Sequence, residues 1–164
     1  MVSGKSPHSR VRSKARSNAA RDTEIRPGVR PELRPKIRPA GNDDMVAIRE
    51  LIRLFPQHLV QRNLPRAPSF FVADAGGRLV GCCALQVYSK RLAEVRSLAV
   101  HPDFQDRGLA SDLVERCTQR ARERGVRELF AVTSQTSFFA RLGFATFRRE
   151  KTAMFLELTP RTSN

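Results

Sequence analysis

The chain of 164 residues has room for one domain, its 40% hydrophobic content suffices for one core, and its formal net charge is +14. It holds no run of 18 apolar residues, which excludes a membrane-spanning helix, and it lacks an apolar stretch near the N-terminus, which argues against a secretory signal. Three Cys without a CxxC pair, together with scattered His8, His58 and His101, argue against a metal site and for a reducing, cytoplasmic setting.

The charge is unevenly spread. Residues 1–38 hold 11 Lys/Arg against 3 Asp/Glu, a balance of +8, and residues 39–164 hold 19 against 13, a balance of +6. Residues 1–35 read as a basic, Pro/Arg-rich, disordered tail, in which Pro27, Pro31 and Pro35 prohibit a regular helix. Residues 1–21 are Arg- and Ser-rich and lack acids, a composition shared by plain tails and transit peptides. Such a tail could neutralise nucleic-acid phosphates, but residues 1–38 offer no aromatic ring for stacking, so a solvated leader is the simpler reading. The milder excess in the body suits an anionic ligand.

The domain is expected to span 36–160. Lys36-Ile37-Arg38 reads as an edge strand, and Asn42-Asp43-Asp44 supplies a helix start. Met45, Ile48, Leu51, Ile52 and Phe55 follow at helical spacing until Pro56, with room for a short helix over His58–Arg62. Phe70–Asp74 and Leu79–Leu85, joined through Ala75-Gly76-Gly77-Arg78, read as a β-hairpin, and Ala93–Val100 as a further strand. Adjacent Cys82 and Cys83 would point to opposite faces of their strand. From Gly108 the period lengthens: Leu109, Leu113, Val114, Cys117 and Ala121 form one helical stripe, closed by Gly125. Leu129–Val132 reads as a central strand buried on both faces, Ser134–Leu142 as a short helix, and Phe144–Phe147 with Ala153–Leu158 as a closing β pair. The order β-α-β-β-β-α-β-α-β-β is mixed α/β.

The most informative stretch is Leu98-Ala99-Val100-His101-Pro102-Asp103-Phe104-Gln105-Asp106-Arg107-Gly108-Leu109-Ala110-Ser111. A strand ends in a turn, and a Gln-x-x-Gly-x-Ala loop opens an amphipathic helix. Unpaired N–H groups at a helix start converge on anions, and the helix dipole adds to the attraction. Gly108 and Ala110 allow close approach to the backbone, while Gln105 and Arg107 can add side-chain donors. On its own such a loop is also an ordinary strand-to-helix turn.

In its context, Leu98-Ala-Val-His-Pro through Gln105-x-x-Gly-Leu-Ala resembles the acetyl-CoA motif of the GNAT superfamily over roughly residues 36–158. The resemblance implies a mixed sheet splayed between the strands at 93–100 and 127–132, with the pantetheine arm pairing against the first strand. Leu92-Ala93-Glu94-Val95-Arg96-Ser97-Leu98-Ala99-Val100, Leu129–Thr133 and Phe138–Phe144 further resemble the short N-acetylglutamate synthase-type amino-acid acetyltransferases of arginine biosynthesis. That resemblance implies direct acetyl transfer from acetyl-CoA, without metal, to a primary amine such as the α-amino group of glutamate.

The same resemblance implies Glu94 as the base that removes an amine proton, Thr133 as an active-site hydroxyl, and Arg62 as a carboxylate clamp. Arg149, Lys151 or Thr152 would supply a C-terminal contact, and Arg96, on the strand face of Glu94, would orient a substrate carboxylate or pair with Glu94. A backbone N–H near Leu98 would hold the oxyanion. Leu98, Ala99, Val100, Gln105, Asp106, Arg107, Gly108, Leu109, Ala110 and Ser111 would hold the cofactor. Asn63–Ser69 is shorter than the family's helical stretch, and the tyrosine often found after the 129–132 strand is absent; Tyr88 lies elsewhere. The expected partners are CoA and a small amine or amino acid, with a homodimer compatible and no membrane. Another small or protein amine as acceptor, or a non-catalytic acyl-CoA- or nucleic-acid-binding module, are the alternatives.

Overall fold

The computed structural model describes residues 34–146. Five strands form one sheet in the order β1-β2-β3-β4-β5: β1 Lys36–Pro39, β2 Phe70–Ala75, β3 Arg78–Val87, β4 Leu92–Val100 and β5 Glu128–Phe130. The first four are antiparallel and β5 lies parallel to β4. Helices α1 Met45–Arg53, α2 Leu109–Glu123 and α3 Thr136–Arg141 complete the described elements. This is the mixed α/β architecture expected from the sequence, and its element order matches the first eight of the expected ten.

Alternation sorts the two faces of the sheet. Phe70, Val72, Cys82, Ala84 and Ala99 pack in one buried cluster with Ile48, Leu51 and Ile52 of α1. On the other face Leu109, Leu113, Val114, Cys117 and Ala121 are the buried residues of α2, the stripe the helical spacing predicted. Cys82 and Cys83 therefore do face opposite ways: the Cys82 thiol reaches the Ser97 carbonyl at 3.5 Å, and Cys83 lies 3.5 Å from the Cys117 sulfur. Burial in apolar surroundings pushes the Cys82 thiol up to about 12 and Cys83 well above its ordinary value, so these are packing groups. Gly81 lets α2 close down on β3: a Cβ there would sit 3.0 Å from the Leu113 methyl and 3.2 Å from Ala73 Cβ.

Local chemistry sets the joints. Gly76 and Gly77, at φ 67° and 90°, form the two-residue hairpin turn between β2 and β3. Asn42–Asp44 forms a 3₁₀ turn leading into α1, and Asp44 accepts from the Gly41 N–H at 2.7 Å. Its carboxylate also receives both guanidinium arms of Arg38, at 2.7 and 2.9 Å, tying β1 to the helix start.

Several expectations are corrected. Residues 58–62 are turns and bends, because Pro56 removes a backbone donor and Gln61 turns back on α1: its amide donates to the Leu59 and Ile52 carbonyls at 2.9 and 3.2 Å. The strand expected over Leu129–Val132 is instead Glu128–Phe130, with Leu129 and Phe130 half-buried and Val132 73% exposed. Its apolar run reflects pairing at one end and an opening at the other. Residues 144–146 carry no sheet pairing among the described residues, and Ala153–Leu158 lies outside them. Among the described residues no helix is long and apolar enough to cross a membrane.

Candidate active site

The site exists because two parallel strands part company. β4 and β5 pair only at Leu92↔Glu128, Ala93↔Leu129 and Glu94↔Phe130. Beyond Glu94 the two strands diverge, so β4 presents residues 95–100 without a β5 partner. On its other edge the ladder to β3 slips by one residue between Cys82 and Ala84, so Ser97 and Leu98 stand opposite Cys83 alone. Ser97 adopts φ 54°, a left-handed conformation that a β-bulge can hold. The bulge interrupts pairing at Leu98 inside the opening.

A cavity of about 670 Å³ fills the splay. Its floor is Val95–Val100, one end is Gln105, Asp106 and the α2 start from Gly108 to Ser111, and the opposite wall is Val132–Gln135 with Phe138, Phe139 and Arg141. Phe55, His58 and Leu59 close the side toward α1.

The α2 end presents N–H groups that no side chain caps. Asp106 and Gly108 both sit at positive φ, 59° and 81°, and Gly108 is the N-cap with no side chain capping the helix. The first intrahelical bond is Asp112 N–H to the Gly108 carbonyl, 3.1 Å, so the N–H groups of Leu109, Ala110 and Ser111 precede the ladder. Those donors and the positive end of the 15-residue helix line the cavity mouth. Before the loop, the His101 ring accepts from the Asp103 N–H at 3.3 Å and meets Arg78 at 2.9 Å, fixing the turn.

Most of the residues singled out in the sequence lie together here: Arg96, Leu98, Ala99, Val100, Gln105, Asp106, Gly108, Leu109, Ala110, Ser111 and Thr133 all line the cavity. Gln105, which lines the cavity, also fastens its loop. Its amide donates to the Val100 carbonyl at 2.9 Å, fastening the loop to the end of β4. Arg107 lies over the Phe104 ring, 5.6 Å from its centroid, and is not part of the lining. Thr133 Oγ1 accepts from the Gln135 N–H at 2.9 Å and opens the turn into α3. Arg62 is exposed in a bend outside the lining. Glu94 is half-buried at the vertex of the splay, also outside the lining, and accepts from the Tyr88 hydroxyl. Arg149, Lys151 and Thr152 lie outside the described residues. Phe55, His58 and Leu59 escaped the sequence reading as lining residues; the signal was the break in helical spacing at Pro56, which turns the chain across the sheet.

An uncapped helix end, an unpaired strand edge and a bulge thus surround one long opening. Residues 38–144 match the model of the acetyltransferase (GNAT) family. The chain belongs to that family. Among relatives, an uncharacterized N-acetyltransferase of Chlorobaculum tepidum is 40% identical over 91 residues, covering 56% of this chain and 59% of the relative. An amino-acid acetyltransferase of Mycobacterium tuberculosis is 36% identical over 113 residues, covering 64% and 65%. The chain therefore spans less than two thirds of the length of either relative. Among solved structures, N-acetylglutamate synthase of Neisseria gonorrhoeae, complexed with coenzyme A and N-acetyl-glutamate, superposes with a TM-score of 0.61 at 30% identity. That match covers 65% of this chain and 27% of the longer synthase. The GNAT fold thus carries a CoA-binding relative and amino-acid acetyltransferases among its matches to this chain.

Proposed function

We propose that the chain transfers an acetyl group from acetyl-CoA to the α-amino group of an amino acid such as glutamate, directly and without an acyl-enzyme. The observation that carries this reading is the opening between β4 and β5, with the free N–H groups of the α2 end at its mouth. A diphosphate fits those donors, and an amide-bearing arm fits the unpaired edge at residues 95–100. The names of the Mycobacterium and Neisseria relatives support an amino acid as acceptor.

Acetyl-CoA supplies the activated acyl group. In this reading the residues of the chain do the rest. Glu94, at the vertex, takes a proton from the ammonium form of the acceptor so that its nitrogen has a free pair. The backbone N–H at the Ser97–Leu98 bulge faces the developing negative charge, since no side-chain donor of the motif is better placed. Arg96, on the face of Glu94, and Arg62 attract an acceptor carboxylate, and the net positive body adds to that attraction. Direct transfer is supported by the thiols: Cys82, Cys83 and Cys117 are all buried, and burial disfavours the thiolates of Cys82 and Cys83.

The test is CoA release, followed with a thiol-reactive chromogen over a panel of amino acids. Because the described cysteines are buried, the background from the protein is low. Turnover with glutamate or a near relative is the expected result. Glu94→Gln should lower kcat by about 10²-fold, the lower end for a general base. A panel in which only polyamines or aminoglycosides turn over would sink the amino-acid reading.

A further inference from the structure

The vertex of the splay holds one more polar group beside Glu94. Tyr88 follows β3 and opens the tight turn into β4. The N–H groups of Tyr88 and Ser89 both donate to the Leu92 carbonyl, at 3.0 and 3.1 Å. Ser89 Oγ accepts from the N–H groups of Arg91 and Leu92 at 3.1 and 3.2 Å, so the turn is closed from both sides. Gln86 stands opposite Glu94 in the ladder, and Tyr88 lies two residues further on the same face. From there its ring stacks on Phe130 of β5, with centroids 6.2 Å apart and planes at 21°. Its hydroxyl donates to Oε2 of Glu94.

We propose that Tyr88 is a positioning residue for Glu94: its hydroxyl holds one carboxylate oxygen, leaving the other for the amine of the acceptor. The proposal rests on the reading of Glu94 as the base. In the proton transfer an ammonium N–H bond breaks and a Glu94 O–H bond forms. The Tyr88 O–H is retained throughout, so the phenol orients and stabilises the carboxylate without entering the step. Tyr88 is 55% exposed, so its contacts with Phe130 and Glu94 orient the ring, and the register row Gln86–Glu94–Phe130 places Glu94 between those two strands. Positioning of this kind needs a rigid frame, and here three adjacent strands supply it.

The surroundings leave little else to act on the pair. From β3 and β5 the facing residues are Gln86 and Phe130, neither titratable in the working range. From α1 the residues turned inward are Ile48, Leu51 and Ile52. Arg96 is the charged neighbour on β4, and it opposes part of the effect of Glu94 on the phenol. The hydrogen bond to Glu94, then burial and the carboxylate charge, hold the Tyr88 hydroxyl above its ordinary value. It stays protonated, as a donor must, through the neutral range.

The composition provides a clean readout, because Tyr88 is the only tyrosine and there is no tryptophan. Tyrosinate absorbance in the ligand-free protein therefore reports this one phenol. It should ionise at higher pH in the native protein than in Glu94→Gln; the same titration in both overturns the proposal. In kinetics, Tyr88→Phe keeps the ring on Phe130 and removes the donor. The expected kcat is about 3- to 10-fold lower, as for one lost hydrogen bond, with the acetyl-CoA KM within about two-fold. An inactive Glu94→Gln beside a Tyr88→Phe with native kcat overturns the positioning role alone. Full activity in Glu94→Gln overturns the base and the positioning role together, so the two failures are distinguishable.

Discussion

The side-chain amide of Gln105 donates to the main-chain carbonyl of Val100 across 2.9 Å, closing the turn between β4 and the loop that opens α2. This bond aligns the end of the strand edge with the start of α2, the two surfaces that a long thioester donor would span. Gln105→Ala should loosen the loop and raise the acetyl-CoA KM about 2- to 10-fold, the range for one hydrogen bond of about 0.5–1.5 kcal/mol. The acceptor KM should stay within about two-fold. Initial rates with each substrate varied in turn make the comparison, and equal KM values for acetyl-CoA in both proteins would remove Gln105 from the cradle.

Gly108 is the second lever on the same loop. At φ 81° it holds a left-handed conformation that an L side chain adopts only with strain, although open space surrounds the position where a Cβ would sit. Gly108→Ala should therefore cost about 1–2 kcal/mol through backbone strain alone. The loop can relieve that strain by turning its N–H groups away from the cavity. Calorimetric titration with CoA should show weaker binding together with a lower melting temperature. Gly125→Ala, with φ 69° at the far end of α2 and equal open space, should lower the melting temperature without changing CoA affinity.

Asp44 links stability to pH. The Arg38 guanidinium, bonded at 2.7 and 2.9 Å, holds its carboxyl below the usual carboxylate value, and the same contact raises Arg38. A depressed folded-state value means that the charged form is preferred on folding. The stabilisation is thus fully present above the unfolded value of about 4 and is lost as pH falls through the lower folded value. Both partners are partly exposed, so the pair contributes about 1 kcal/mol or less. Urea unfolding of native protein and Asp44→Asn should differ by that amount at pH 7, and the gap should shrink as the solution is acidified below the unfolded value. A gap that persists unchanged in acid would assign the effect to capping geometry rather than charge.

The sequence carried this fold unevenly, and particular residues show why. The stripe from Leu109 to Ala121 was legible because a surface helix must bury one face, and its period records that demand. The loop at Gln105–Ser111 was legible because left-handed backbone and an uncapped helix start need Gly and small residues. The depth of the splay was not. Leu129–Val132 is apolar throughout, but only Glu128–Phe130 pairs with β4, and pairing length depends on the partner strand rather than on the run itself. Nor could spacing reveal that Tyr88 meets Glu94, because that contact depends on a four-residue turn and a diagonal cross-strand reach. Gln105 lines the cavity, yet its amide also reaches a carbonyl five residues back in its own chain, a contact that spacing does not reveal. Side chains that fasten a site and side chains that touch a ligand are the same types, and only geometry separates them.

Gly81 shows how packing behind the opening bears on the start of α2. It stands opposite Val100 on β4, and a Cβ there would meet Leu113 at 3.0 Å, Ala73 at 3.2 Å and Leu109 at 3.4 Å. Leu109 and Leu113 are the first two buried residues of α2, so the helix start rests directly on this glycine. Ala73 belongs to the sheet and is fully buried, and Leu113 is enclosed as well, so neither side can yield freely. Gly81→Ala should cost about 1–3 kcal/mol as overpacking, read as a lower midpoint in urea with little change in slope. The displaced partner should be α2, since the sheet is held by ladders on both sides of β3. CoA affinity should therefore fall along with stability. A compensating Leu113→Val, which shortens the crowding side chain, should restore both. If Leu113→Val restores the midpoint but leaves CoA binding weak, the coupling between this contact and the cradle is wrong, and Gly81 serves packing alone.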